Sequence, residues 1–328
     1  MNVRADTAEH SRRKLFCVLS ARALPYAEKG VESLLARANE PVELTLITDG
    51  EADKREIESA LQSLAPPPAH RCSVYSEAQA DERAKEVLAR YPHIQEFRRG
   101  HPCWRKITDP ILFCARGEEM IILDPDLYFP NSFDFEPTPP QGLQLMWQPP
   151  SCLLPDAVVQ NAYRLGVRLA HHVDIGVAQL RNELDLEWLN WFVGALGGKD
   201  IPRMMHVEAI VWAALAMRMG GGYFDPVHWN CWQYRQWKRV ALKVGIPGTA
   251  LLKTENLSQA KCFHASGVAK WFVKEACERN LFAAPGAVTS NRPPRPYEEL
   301  TQREYLADQR VKNIVRRLGY YRLMQGGT

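Results

Sequence analysis

Two carboxylates one residue apart, Asp124 and Asp126, close the apolar run "MIILDPDLYFP" (Met120 to Pro130). Side chains at i and i+2 of an extended chain point the same way, so both acids share one face. Two like charges on one face repel unless a cation stands between them. Hard divalent ions such as Mg²⁺ and Mn²⁺ take oxygen ligands, commonly one or two carboxylates together with substrate phosphates. A second group lies in "HASGVAKW", which places His264, Gly267 and Lys270 at three-residue intervals with Trp271 beside the lysine. An imidazole completes a Mn²⁺ shell, a glycine lets backbone approach a phosphate, and an ammonium neutralises a diphosphate leaving group. Each element alone has an ordinary reading: an Asp-x-Asp is commonly a solvated loop, and a single histidine a hydrogen-bonded core residue.

The surrounding pattern places the acids at a strand end. "LFCVLSA" (Leu15 to Ala21) reads as a buried strand, "YAEKGVESLLARANE" (Tyr26 to Glu40) as a helix, and "VELTLITDG" (Val42 to Gly50) as a second strand. A charged helix (Asp53 to Leu64), a stiff Pro66 to Pro68 connection, a short strand (Cys72 to Tyr75) and a helix (Ala80 to Tyr91) follow. This rhythm predicts an α/β fold with a mostly parallel central sheet. A helix over Lys106 to Ala115, stopped at Gly117, then leads into the strand that ends at Asp124. In open α/β sheets ligands bind outside the carboxyl ends of the strands, which is where these acids fall.

Further along, the sequence predicts a strand over Gly142 to Trp147, a helix over Ala157 to Leu165, a strand in "HVDIGVAQLR", and an apolar helix from Val207 to Met219 ended by Gly220 to Gly222. The expected organisation is a leader at 1–13 without order, one domain at 14–283, and a linker with an amphipathic helix at 284–328. The tail helix sets Leu306, Val311, Ile314, Val315 and Leu318 on a stripe among basic residues, a pattern that fits either docking on its own domain or peripheral contact with an anionic membrane.

With 328 residues, 46% of them hydrophobic, the chain is long enough for a sizeable core. A net charge of +3, with both signs interspersed, excludes a strongly basic nucleic-acid binder. The eight cysteines are scattered without a C-x-x-C pair, which points to free thiols in a reducing compartment. Neither a signal peptide nor a run of roughly 20 apolar residues is written in the chain, so a cytoplasmic protein is expected.

In this order, Asp124-Pro125-Asp126 and then His264, Gly267 and Lys270 resemble the nucleotide-sugar glycosyltransferases of GT-A fold, especially the glycogenin-like and bacterial galactosyltransferase-like retaining group, which pair a D-x-D with a later H-x-x-G-x-x-K. The resemblance implies a Rossmann-like GT-A domain, a Mn²⁺ or Mg²⁺ ion on Asp124, Asp126 and His264, and a donor diphosphate, most simply of a UDP-sugar, held by Asp124, Gly267 and Lys270. By the same resemblance Tyr26 packs on the base with Ser20 nearby, and Lys106 faces the donor. Asp174, where the family usually has Asn, and Glu208, at the start of an acidic helix, become the sugar-facing catalytic candidates, with Gly176 on the family's glycine. Trp271 directly after Lys270 and Ala209 after Glu208 depart from the family's pattern. The implied acceptor is a glycan, a lipid or a protein.

Two other readings fit the same residues: a non-catalytic nucleotide-sugar or glycan-binding protein, and a nucleotidyltransferase, although "SARALPYAEKG" lacks the Gly-rich loop the latter needs. Tyr26, Lys106 and Glu208 also have plain readings as a surface aromatic, a solvated charge and a first-turn acid. His171 and His172 are expected on opposite faces of a strand, which argues against a shared metal with Asp174. Trp229, Trp232 and Trp237 are expected to fill the core and rim of the irregular half.

Overall fold

The alternating buried runs assemble one eight-stranded sheet in the computed structural model, which describes residues 12–149 and 152–319. The first half runs β1 (Arg13–Val18), α1 (Leu24–Arg37), β2 (Val42–Thr48), α2 (Glu51–Leu64), β3 (Arg71–Ser76), α3 (Glu77–Val87), α4 (Pro92–Arg98), α5 (Arg105–Thr108), β4 (Glu119–Leu123), β5 (Leu127–Tyr128) and β6 (Ser132–Phe133). The second half adds β7 (Leu143–Trp147), α6 (Asp156–Arg164), β8 (Val173–Arg181), α7 (Leu186–Leu196), α8 (Val207–Met219), β9 (Gly221–Tyr223), β10 (Trp229–Cys231), α9 (Gln236–Lys243), α10 (Gly248–Leu252), β11 (Cys262–His264), α11 (Ala269–Glu278), β12 (Ala287–Val288), β13 (Arg295–Pro296) and α12 (Gln302–Arg317).

Strand order in the main sheet is β13-β9-β7-β8-β4-β1-β2-β3. β1 pairs in parallel with β2 on one side and β4 on the other, so chain order reverses beside β1 and opens a crevice at the carboxyl ends of these strands. β8 runs antiparallel to both β4 and β7, β7 and β9 are parallel, and β13 is antiparallel to β9. The sheet is therefore mostly parallel, with antiparallel strands in its second half.

Alternation along the strands builds two cores. Phe16 and Val18 of β1 and Met120 and Ile122 of β4 face a layer containing Trp104, Phe192 and Trp212, whereas Leu15, Cys17, Ile121 and Leu123 face a layer with Leu34, Leu44 and Ile57. α8 lies inside the first layer, with every residue from Val207 to Ala216 buried. That is why its sequence is apolar nearly all round instead of amphipathic. A smaller core (Trp232, Leu251, Phe263, Val273) sits under α9 to α11.

The helix expected over Lys106 to Ala115 is instead two short turns, α5 and a 3₁₀ turn at Pro110–Leu112. Pro110 has no N–H to donate and its ring crowds the carbonyl four residues back, so a continuous helix cannot pass it. Segment 284–296, read from the sequence as part of a linker, pairs twice: β12 lies parallel to β6, and β13 is added to the edge of the main sheet. Tyr305 of α12 is buried, while Leu306, Val311, Ile314 and Leu318 are exposed. Of the leader expected at 1–13, residues 1–11 lie outside the described residues, whereas Arg13 already opens β1 through its pairing with β2; the end of the tail segment at 320–328 also lies outside them. His171 and His172 precede β8 and do not alternate across it; His172 takes φ 54°, and the two rings stack at 3.7 Å. All eight cysteines are free, and no described helix is long and apolar enough to cross a membrane.

Candidate functional site

A cavity of about 480 Å³ opens at the carboxyl ends of β1 and β4. Ser20, Tyr26, Lys106, Asp124, Asp126, Asp174, Glu208, His264, Gly267 and Lys270 all line it, so the fold brings these ten candidate residues of the sequence into one cleft.

Three strands fix the acids and the histidine. The Asp124 amide donates to Gly176 O of β8 (2.8 Å), and the Ala265 amide after β11 donates to Asp126 O (2.9 Å). The short loop between β4 and β5 is thereby pinned on both sides. His264 ends β11, and its Nε2 lies 3.2 Å from Asp126 Oδ1 and 3.7 Å from Asp124 Oδ2. One ligand atom from each of Asp124, Asp126 and His264 falls within 4.8 Å of the others. Two carboxylate oxygens and one imidazole nitrogen make a donor set suited to Mn²⁺ or Mg²⁺.

The other imidazole nitrogen is taken. His264 Nδ1 lies 2.7 Å from Asp174 Oδ1, which also accepts from the Gly176 amide (2.9 Å), while Asp174 Oδ2 accepts from the Cys231 thiol (3.0 Å). Asp174 is 1% exposed. Both of its oxygens are engaged, so the carboxylate orients His264 from behind, as carboxylates behind metal-binding histidines do. Gly176 is required by this packing: a Cβ there would lie 2.6 Å from His264 Nδ1. Asp174, Cys231 and His264 also cluster closely enough to hold a metal, but this set is buried and shares its histidine with the first. Cys231 carries no local signal in the sequence; only the pairing of β10 with β11 brings it beside His264.

Lys106 occupies the opposite wall. Its Nζ lies 2.5 Å from Asp124 Oδ1 and 3.0 Å from Glu208 Oε1, so Asp124 turns one oxygen to the lysine and the other toward His264. Arg105, the next residue, holds Asp109 (2.8 Å) and Asp49 (3.0 Å), and Arg98 binds the same Asp109 (2.6 Å). This buried network anchors the short turn that carries Lys106. Glu208 is the one charged residue in the buried stretch of α8; its Oε1 also accepts from Trp212 Nε1 (3.2 Å), and its Oε2 is buried without a hydrogen-bond partner.

Electrostatics follow from this crowding. Burial pushes Glu208 up to about 8, with Lys106 opposing and Asp124 adding. Burial also raises Asp124, against Lys106 and with Asp126. In Asp126 burial is outweighed by His264, Lys270 and Lys106, which hold it below the ordinary carboxylate range. Burial lowers the affinity of His264 and Lys106 for their protons, but Asp174 and Asp126 more than offset this for His264, and Asp124 and Glu208 do so for Lys106, so both are raised.

On the third wall Lys270 Nζ lies 4.5 Å over the Tyr26 ring, and Tyr26 meets Trp271 edge-on at 5.3 Å. Burial, then Asp126 and Asp124, push the Tyr26 hydroxyl up to about 12. Gly267 takes φ 64°, a left-handed turn that leaves its surroundings open at the start of α11. Trp229 and Trp232 are buried, and Trp237 is 47% exposed. Asp49, Gln148 and His206 also line the cleft; they sit in loops or beside helix ends and belong to no recognisable motif.

No protein-family model and no curated protein matches the sequence. Among solved structures, the apo form of mouse xyloside xylosyltransferase 1 is 12% identical over 79% of this chain and 98% of its own, with a TM-score of 0.48. The apo form of glycosyltransferase GlyE from Streptococcus pneumoniae TIGR4 is 12% identical over 84% of this chain and 65% of its own, with a TM-score of 0.44. Galactosyltransferase LgtC in complex with donor and acceptor sugar analogs is 11% identical over 81% of this chain and 95% of its own, with a TM-score of 0.42.

Proposed function

We propose that this chain is a metal-dependent glycosyltransferase that moves a sugar, most simply a hexose, from a UDP-sugar to a glycan, lipid or protein acceptor with retention of configuration. The observation that carries this reading is the convergence of Asp124, Asp126 and His264 within 4.8 Å at the sheet's switch point. Lys270 and Gly267 line the same cleft. Those three side chains would hold a divalent cation, which would neutralise a diphosphate and the charge that grows on it as the sugar leaves.

The chain's own residues supply the rest. Asp174 keeps the His264 ring turned so that Nε2 faces the two acids. Lys106 fixes one oxygen of Asp124 and frees the other for the cation face. Lys270, the open turn at Gly267 and the N-terminus of α11 form a positive end for the diphosphate. Tyr26 offers a ring face at the cleft wall for the base, with Ser20 at the adjoining strand end. Glu208, its carboxyl raised by burial, has an Oε2 without a protein partner that is available to a sugar hydroxyl. Peripheral membrane contact through the exposed stripe of α12 belongs to the same reading.

Isothermal titration with UDP, with and without Mn²⁺, tests it on the wild type and on Asp126→Ala and His264→Ala. Mn²⁺-dependent UDP binding that both substitutions abolish, followed by transfer or hydrolysis of a UDP-sugar, supports the reading. UDP binding that ignores Mn²⁺ and survives Asp126→Ala points to a binding protein, and no UDP binding in any condition removes UDP as the donor nucleotide.

A further inference from the structure

The helix α9 shows its apolar side to solvent. Trp237 and Val240 of α9 and Val244 at its C-cap, spaced i, i+3 and i+7, are 47%, 51% and 70% exposed, and Ile246 just beyond is 43% exposed. The opposite side is anchored: Lys238 and Ala241 are buried, with the Lys238 ammonium 3.8 Å from the Trp232 ring centre and paired with Glu255. Packing of the domain therefore leaves the Trp237 ridge uncovered. Contiguous apolar ridges of this kind mark interaction surfaces.

Charge selects the partner. From Pro226 to Thr254 the sequence has no Asp or Glu; beside the buried Lys238, paired with Glu255, it carries Arg235, Arg239, Lys243 and Lys253, of which Arg235, Lys243 and Lys253 are exposed. A short helix with a Trp-led apolar ridge in an acid-free basic segment matches a lipid interface: the indole and aliphatic groups enter the headgroup boundary, and the cations meet anionic headgroups. We infer that the α9 ridge, Trp237, Val240, Val244 and Ile246, docks this protein on an anionic bilayer surface. The ridge follows directly from β10, and the Trp232 amide at its root donates to His264 O (2.9 Å). Docking through α9 thus connects the bilayer to the strand pair that carries the candidate metal ligand, and it holds whether or not the cleft transfers sugars.

Co-sedimentation of the full chain tests this with vesicles of pure phosphatidylcholine and of phosphatidylcholine mixed with phosphatidylglycerol. The wild type is expected to bind the mixed vesicles, to bind the neutral ones far less, and to be released by salt. Trp237→Gln/Val244→Gln, which changes only exposed side chains, is expected to weaken binding by roughly tenfold or more. Unchanged thermal unfolding and UDP titration would show that its fold and cleft are intact. Three results overturn the inference: no vesicle binding by the wild type; binding unaffected by the double variant but lost in Val311→Gln/Ile314→Gln of α12; or a concentration-dependent dimer, dispersed by the double variant, without vesicle binding.

Discussion

Asp174 stands behind His264: its Oδ1 lies 2.7 Å from the ring's Nδ1, while the ring's other nitrogen faces Asp124 and Asp126. Such a carboxylate fixes both the tautomer and the angle of the imidazole, and removing its like elsewhere costs about 10- to 100-fold in metal affinity. Asp174→Ala is therefore expected to weaken Mn²⁺ affinity by about that factor. Asp174→Asn, which still accepts a hydrogen bond from Nδ1, should lose less. Equal Mn²⁺ affinity in the wild type and the alanine variant, measured by paramagnetic resonance, would remove Asp174 from the site.

Lys106 is the only cation within 4 Å of both Asp124 and Glu208 among the described residues. Replacing it with methionine keeps the apolar stem but takes the counter-ion from Asp124, whose side chain is 13% exposed, and a hydrogen-bond partner from the buried Glu208. Losing one partner of a buried ion pair typically costs about 3–5 kcal/mol. Lys106→Met should lower stability by about 3 kcal/mol in urea without added metal. Because a bound divalent cation would restore part of the missing charge, saturating Mn²⁺ should narrow that gap. A gap indifferent to Mn²⁺ would mean that Asp124 does not face a cation.

Where the signal is local, the sequence already shows this site. Asp124 and Asp126 end a buried run, His264, Gly267 and Lys270 share one short motif, and β1 and β2 read directly as buried strands. Non-local pairing explains what the sequence hides. Cys231 reaches Asp174 across 57 residues only because β10 lies beside β11, and segment 284–296 looks like a linker until its strands find β6 and β9. α7, "LEWLNWFVGAL", is too uniformly apolar to display a helical period, and its one clear start signal is Asp185, which accepts from the Trp188 amide. The break before Pro110 was written in the sequence, but the apolar run around it resembles a helix. Asp174 reads from the sequence as a sugar-facing catalytic candidate; that both of its oxygens are occupied, by His264 and Gly176 on one side and Cys231 on the other, emerges only from the fold.

The close approach of His264 to β8 leaves no room for a side chain at Gly176. A methyl group there would meet Nδ1 at 2.6 Å and Asp174 Oδ1 at 2.9 Å. Overpacking a filled site usually costs about 1–3 kcal/mol, and here the atoms that must yield are the candidate ligand and its orienting carboxylate. Gly176→Ala should therefore lower stability by about that amount and also weaken Mn²⁺ binding. Gly166→Ala is a useful contrast: it too is a backbone change, but nothing lies within 4 Å of its Cβ position and its φ is 71°, so it should cost stability without touching metal affinity.

Glu208 makes the fold sensitive to pH in a definite direction. Its carboxyl is raised from 4.5 in the unfolded chain to about 8 in the folded one, chiefly by burial. Between those values the native state holds a proton that the unfolded state has lost, so Glu208's contribution to stability falls as pH rises from about 4.5 to about 8 and levels off above. The raised Lys106 adds nothing to this slope, because its linkage lies above the ordinary lysine range. Glu208→Gln keeps an acceptor for Lys106 and Trp212 but has no proton to lose. The difference in thermal midpoint, variant minus wild type, should therefore grow in the variant's favour from pH 5 to pH 8 without added metal, whatever the other groups contribute. A difference that stays constant across this window would show that Glu208 ionises as readily in the folded chain as in the unfolded one.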